Sequence, residues 1–250
     1  MKAHVVLAHP EPNSFNGRLA RESRETLTRQ GFEVSFSDLY GMGFDPCEGP
    51  RHYSLRADPA HFDTPAEQRR AAEHGLTPPE VAAEIARLRA AELLVVHFPL
   101  WWFGPPAMLK GWIDRVFVYG PVYRSTMRYD RGVFRGKRMI ACVTTGAPAA
   151  ACGHSGQEGE TRLVLWPLLY AFRYVGFTVL EPALLHGIGD IPAGAYDRLV
   201  SRWREALGSL SGRAAIAYNR DTDFDDAMRL KPGAPVHAPF TRHRATPSWE

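Results

Sequence analysis

The sequence predicts a doubly wound α/β domain built on a parallel five-stranded sheet with helices on both faces. Three observations carry that expectation. Short apolar runs alternate five times with amphipathic helical stretches. The run Leu93-Leu94-Val95-Val96 is continuously apolar, as a strand buried on both faces must be. Glycines fall where helical periodicity stops, at Gly31 and Gly176.

Taken in order, Val5-Val6-Leu7 is the first strand. After the loop HPEPNSFN, Phe15, Leu19, Ser23 and Leu27 share one helical face. Phe32 to Phe36 alternates as a second strand. Thr77-Pro78-Pro79-Glu80 reads as a helix start, with Thr77 as N-cap, Pro78 at the first position and Glu80 completing a capping box. Val81, Ile85 and Leu88 form its buried stripe, and Leu93 to Val96 is the third strand. Pro105 and Pro106 open the next helix, lined by Met108, Leu109, Trp112, Ile113 and Val116. Met139 to Val143 is strand four, running into Thr144-Thr145-Gly146. A helix from about Thr161 to Tyr174 leads to strand five, Phe177 to Leu180. Tyr196, Leu199, Trp203 and Leu207 stripe the last helix. Two segments fall outside this pattern: a polar insertion over 39–76, and an Arg- and Pro-rich tail over 211–250.

Composition narrows the function classes. At 250 residues and 45% hydrophobic, the chain fills one large domain or a domain with an appendage. Thirty Lys and Arg against 27 Asp and Glu give a formal charge of +3, which offers no argument for nucleic acid. Cys47, Cys142 and Cys152 are odd in number and lack C-x-x-C spacing, which favours free thiols in a reducing compartment. MKAHVVLAHP reads as a first strand and not as a signal peptide, and no run reaches the roughly 18 apolar residues of a membrane span. The expectation is a soluble, cytoplasmic protein with no nucleic-acid partner and no membrane span.

In an open parallel sheet the ligand lies beyond the carboxyl ends of the strands. Three loops are placed there. HPEPNSFN ends in Asn13-Ser14-Phe15-Asn16 at a helix start, which is either an ordinary N-cap or an anion site suited to phosphate. His9 either neutralises such a phosphate or bonds the loop. FPLWWFGPP, residues 98–106, offers Trp102 and Phe103 for stacking on a flat ring; the alternative is a core-capping or dimer-interface cluster. The third loop, TTGAPAAACGHSGQEG, brings hydroxyls and a glycine turn that lets backbone approach a ligand. Neither Gly153-x-x-Gly156-x-x-Gly159 nor Gly187-x-Gly189 follows the first strand with the dinucleotide spacing, so a nicotinamide site of that kind is rejected. No H-x-x-x-H pairing points to a metal. Cys152 near His154 and Glu158 is read either as a Cys-His pair or as a small residue in a glycine-rich loop.

Together the motifs H-x-E-x-x-SFN, FPL-x-WFG-x-PA-x-LKGW, RVF, TTG and LWP, with SDLYGMGFDP and GFTVLEP, span residues 3 to 207. In this order they resemble the flavodoxin-like NAD(P)H:quinone oxidoreductases, the DT-diaphorase family and its bacterial relatives. The resemblance implies a flavodoxin-like FAD-binding catalytic domain over 1–210, with 211–250 as an extension without a clear fold. It implies FAD, with FMN disfavoured by the long insertion, and NAD(P)H as co-substrate. Leu100, Trp101, Trp102 and Phe103 would sit beside the flavin ring; His9, Ser14, Phe15 and Asn16 would hold the pyrophosphate region. Thr144, Thr145, Gly146 and Ala147 would complete the flavin wall.

The resemblance further implies a homodimer with shared active sites, in which Tyr123, Ser125 and Tyr174 occupy the pocket for a quinone or similar flat acceptor. Where family members carry a Tyr and a His in the fourth loop, ungapped alignment places Cys152 and Glu158, with His154 as a nearby substitute. These three are the candidate catalytic positions. Ser125 replaces a second family tyrosine, and Ala147 a glycine. The implied activity is two-electron, ping-pong hydride transfer through the flavin N5 from NAD(P)H to a quinone. Nitro or azo reduction, or a flavin-bound regulatory subunit of a transporter, are the alternatives.

Overall fold

The computed structural model describes residues 1–189, 191–192 and 194–237. Strands β1 (Lys2–Leu7), β2 (Glu33–Asp38), β3 (Leu93–Pro99) and β4 (Arg138–Thr144) are parallel and ordered β2-β1-β3-β4. The position beyond β4 holds two short strands in succession. β5 (Thr178–Val179) pairs with the start of β4, at Arg138 and Met139, and β6 (Ala183–Leu185) pairs with its end, at Cys142 to Thr144. This is the flavodoxin-like order 2-1-3-4-5. The expected fifth strand is therefore broken: Pro182 has no amide hydrogen to continue a ladder, and pairing resumes one residue later.

Among the described residues there are six α-helices: α1 (Phe15–Arg29), α2 (Thr64–Glu73), α3 (Pro79–Ala90), α4 (Ala107–Val116), α5 (Thr161–Tyr174) and α6 (Ala195–Gly208). The sheet separates two apolar cores. On one side α3, α4 and α5 pack Leu88, Trp112 and Phe172 against Val6, Val96 and Ala141. On the other, α1 and α6 pack Leu19, Leu27 and Trp203 against Val5, Val95 and Ile140. Side chains alternate across a strand, so consecutive residues of β1, β3 and β4 serve opposite cores, and β3 is buried along its whole length.

Three details depart from the sequence expectations. Thr77 does not cap α3: the helix begins at Pro79, Pro78 occupies the cap position, and no side-chain capping bond forms. Two consecutive prolines shift the start by one residue, because the residue before a proline is steered out of the helical region. The insertion contains helix α2, capped by the Asp63 carboxylate accepting from the Ala66 amide at 2.8 Å. It is anchored to the body through buried Arg115, which donates to the Asp45 carbonyl at 2.8 Å and to Glu80 at 2.7 Å. A Cβ on Gly111 would lie 2.6 Å from the Pro46 Cα, so only glycine lets the insertion seat on α4. Finally, the tail folds back onto the sheet edge. Glu181 donates to the Ala214 carbonyl and Ile216 to that of Val179, both at 2.9 Å, and Ile216 is buried. Residues 238–250 of that tail lie outside the described residues. Among the described residues no helix is long and apolar enough to cross a membrane.

The core also holds a charge. Glu84 of α3 is fully buried, accepting from Ser37 Oγ at 2.7 Å and Trp112 Nε1 at 2.9 Å, with Arg87 donating to it and His4 Nε2 3.6 Å away. Burial raises its pKa, but these donors and the nearby His4 outweigh burial and hold it at about 2.

Candidate active site

The three loops expected at the ligand end converge at the carboxyl ends of β1, β3 and β4. After β1, the chain turns through Pro10 to Asn13 before Ser14 caps α1, its Oγ accepting from the Gly17 amide at 3.1 Å. The cap satisfies one of the orphan donors of the first turn; the amides of Phe15 and Asn16 carry no protein hydrogen bond among the described residues. Asn16 is buried and donates to Thr144 Oγ1 at 2.7 Å, tying the first loop to the end of β4, while its Oδ1 has no partner. His9 receives the Glu11 amide on Nδ1 at 3.0 Å, so the loop bond is made, and burial lowers its pKa. It therefore enters the site as a neutral ring packed 5.8 Å from Trp101.

After β3, Trp101 and Gly104 exchange backbone hydrogen bonds at 2.9 and 3.0 Å and close a two-residue turn. Trp102 and Phe103 occupy its centre with φ of 50° and 59°. Such turns favour Asn-Gly, and two bulky side chains there cost on the order of 1–3 kcal/mol each. The strain has no packing return within the chain, since Trp102 is 96% exposed. Two aromatic rings are held out at the rim of a cleft instead.

That cleft encloses about 330 Å³, with Leu100, Trp102 and Phe103 on one side and Thr145, Gly146 and Ala147 on the other. Cys152, Glu158, Thr161 and Val164 complete it. The amides of Trp102, Phe103, Gly146 and Ala147 make no protein hydrogen bond among the described residues. The lining is thus an aromatic rim, unpaired backbone donors and small side chains, which is the donor set a flat, oxygen- and nitrogen-edged heterocycle requires.

Thr145 is the node of the far wall. Its hydroxyl donates to the Ala147 carbonyl at 2.8 Å, and since it has only one hydrogen, His186 must donate Nδ1–H to the same oxygen at 2.9 Å. Burial lowers the pKa of His186, which keeps it neutral. Backbone bonds from Gly187 to Ala147 at 2.8 Å and from Ile188 to Thr145 at 3.0 Å complete the clasp. The wall is shaped by the loop after β6, an element that sequence reasoning did not connect to the site.

Residues 1–207 match the model of the flavodoxin-like fold family. NAD(P)H dehydrogenase (quinone) 1 of the guinea pig, Cavia porcellus, is 35% identical over 226 residues, covering 90% of this chain and 82% of that one. The chain belongs to the flavodoxin-like NAD(P)H:quinone oxidoreductase family. A second family relative, human ribosyldihydronicotinamide dehydrogenase (quinone), is 36% identical over 211 residues, covering 84% and 91%. A Klebsiella pneumoniae structure assigned as a quinone reductase superposes with a TM-score of 0.86 at 31% identity, over 93% of this chain and 94% of that one.

Within this family member the predicted site residues separate into two groups. Leu100, Trp102, Phe103, Thr145, Gly146 and Ala147 line the cleft, joined by Cys152 and Glu158. Asn16 and Thr144 meet behind it. His154 is exposed and does not line the cleft. Cys152 is buried, its thiol 3.9 Å from Thr145 Oγ1 and 3.8 Å from the Ala147 carbonyl. Tyr123 and Tyr174 lie elsewhere, 5.7 Å apart edge to face, with Tyr129 5.0 Å from Tyr174; Ser125 is on an exposed turn beside them. None of these lines the cleft. Tyr196 was missed as well: its ring meets Phe15 at 5.0 Å and its hydroxyl donates to the Ile188 carbonyl at 2.8 Å. In the sequence its only signal is its place on the stripe of α6.

Proposed function

We propose that the protein is an FAD-dependent NAD(P)H:quinone oxidoreductase acting as a homodimer in the cytoplasm. The observation that carries this reading is the convergence of the strained aromatic turn, the unpaired amides and the Thr145 wall on one cleft at the carboxyl ends of β3 and β4. The names of the relatives, NAD(P)H dehydrogenase (quinone) and ribosyldihydronicotinamide dehydrogenase (quinone), support the same activity. FAD, when bound, would supply the redox chemistry, two-electron transfer from NAD(P)H to a quinone.

The residues of the chain bind, orient and exclude water. The free amides of Phe15 and Asn16, at the positive end of α1, would hold the pyrophosphate, with the Ser14 cap fixing their direction. Neutral His9 would bond a phosphate oxygen without adding a full charge. Trp102 and Phe103 would cover the isoalloxazine edge and keep water off the hydride-transfer face. Gly146 and Ala147 would present amides to the ring's polar edge, held by the Thr145–His186 clasp. Glu158 places a carboxyl among the lining residues of the cleft, on the same side as Cys152. The long insertion, seated on α4 at Gly111 and Arg115, supports FAD over FMN. The separation of Tyr123 and Tyr174 from the chain's own cleft supports a dimer in which each copy supplies them to the other's site, within a catalytic unit spanning 1–210.

Light scattering and flavin titration of purified protein test the reading. The expected results are a dimer, one FAD per chain, and NAD(P)H-dependent reduction of benzoquinone. A monomer that binds neither flavin would refute it.

A further inference from the structure

A second recess, of about 280 Å³, opens between the edge of the sheet and α6 and shares no lining residue with the active-site cleft. Arg162, Arg202 and Arg213 line it, and no carboxylate does. Arg213 is fixed by donating Nε to the Glu181 carbonyl at 2.6 Å and Nη2 to that of Pro182 at 2.9 Å, both neutral acceptors. Burial lowers its pKa and the Arg162 charge adds to that effect, against the attraction of Glu181. Arg162 reaches the Glu181 carboxylate at 3.4 Å. Arg202 has no ion pair among the described residues, whereas Arg204 of the same helix pairs with Glu22 at 2.7 Å. Among the described residues, one of the three guanidinium groups, Arg162, has a carboxylate partner, and that carboxylate does not line the recess. Arg162 and Arg202 are exposed at the mouth and Arg213 is half-buried, and their mutual repulsion is relieved when an anion binds among them.

The strand edge adds a neutral donor. β6 pairs only with β4 among the described residues, and the Leu185 carbonyl accepts from the Thr145 amide at 3.0 Å. Successive residues of a strand direct their peptide groups to opposite sides, so the Leu184 N–H points to the open edge that lines the recess. Planar guanidinium forks match the oxygens of a phosphate, and Ala183, Leu185 and Ala206 present apolar surface beside them. The volume exceeds what a phosphate alone occupies.

We propose that this recess is an oxyanion site that binds the phosphate of a small phosphomonoester, gripped by Arg162, Arg202 and Arg213 with the Leu184 amide. It is separate from the flavin chemistry, and its occupancy is read without turnover.

The test is calorimetric titration of the full-length protein, saturated with FAD, with glycerol 3-phosphate and with inorganic phosphate at fixed ionic strength. Arg202→Ala and Arg162→Ala are compared with Arg198→Ala, an exposed arginine of the same helix outside the recess. Saturable binding is expected, weakened about tenfold by each recess variant, as loss of one charge-assisted bond predicts, and unchanged in Arg198→Ala. Tighter binding of the ester than of free phosphate identifies the organic ligand as the occupant; equal binding identifies inorganic phosphate. Absence of saturable binding, or equal weakening in all three variants, overturns the proposal. Because only the recess variants are diagnostic, a failure to take up FAD would count against the enzymatic reading and leave this test intact.

Discussion

Gly17 sits in the first turn of α1 where the chain has no room for a side chain. A Cβ there would lie 2.9 Å from the Pro12 carbonyl carbon and closer still to its oxygen, against an ordinary contact beginning near 3.4 Å. Gly17→Ala therefore forces the Pro12 peptide to retreat by more than about 0.5 Å, a cost of about 1–3 kcal/mol for overpacking. The Pro12 carbonyl is also the acceptor for Arg21 at 2.8 Å, so it cannot swing away freely. Helix propensity acts with the opposite sign, because alanine is favoured over glycine by about 1 kcal/mol within a helix. The net expectation is a stability loss of up to about 2 kcal/mol, or a Tm lower by several degrees, since 1 kcal/mol moves Tm by about 2–4 °C at this size. The larger effect falls on the flavin. Displacing the 10–14 loop misdirects the two free amides of Phe15 and Asn16, and loss of one bond to a charged phosphate costs about 1.5–3 kcal/mol. Fluorescence titration should give an FAD Kd at least about tenfold weaker. A raised Tm with unchanged FAD affinity would mean that propensity alone operates, and would refute the placement of this loop against the cofactor.

The acid limb of stability follows from two buried groups. His97 is fully buried, with burial lowering its pKa from 6.5 to about 3, so the unfolded chain takes up the proton first and stability falls by about 1.4 kcal/mol per pH unit as pH drops from 6.5 toward 3. Glu84, held at about 2 against 4.5, contributes stability that is lost as pH falls from 4.5 toward 2. Urea midpoints across pH should show His97→Gln removing the upper part of this limb; an unchanged profile would contradict the assignment. Thr145→Val keeps the shape of the side chain and loses the hydroxyl bonds to Ala147 and His186, so FAD affinity should fall several-fold while Thr145→Ser retains it, measured by the same titration. Tyr123→Ala should raise the KM for quinone with flavin content unchanged, and equal kinetics would remove Tyr123 from the acceptor pocket. Trp102→Ala should leave Tm near the parent value, because the ring is exposed, yet weaken flavin retention on dialysis.

Much of the fold was legible because its signals are local. The continuous apolar run of β3 and the stripe Leu109, Trp112, Ile113 and Val116 of α4 each encode their own burial. The aromatic turn was legible as either a platform for a flat ring or an interface cluster, and its place at the rim of the cleft favours the platform. What escaped is what depends on pairing between distant segments. His186 follows β6, and its role at Thr145 requires that β6 take over the pairing of β4 after Pro182 interrupts β5. Glu84 reads as a solvated helix charge until α3 is seated on β1 and α4, when His4, Ser37 and Trp112 surround it. Helix α2 was hidden by its weak apolar stripe, since it buries Glu67 and Gln68 beside Ala71. Arg56 at 2.7 Å from the Glu67 carboxylate supplies the partner that such burial requires.

In the proposed reaction, a flavin held between the aromatic turn and the Thr145 wall carries electrons from a nicotinamide to a quinone. Anaerobic stopped-flow absorbance of the FAD-loaded protein tests it most directly. Mixing with NADPH or NADH should bleach the flavin band, and a second mix with benzoquinone should restore it in one two-electron step. A flavin that binds but is bleached by neither nucleotide would rule out the proposed reaction.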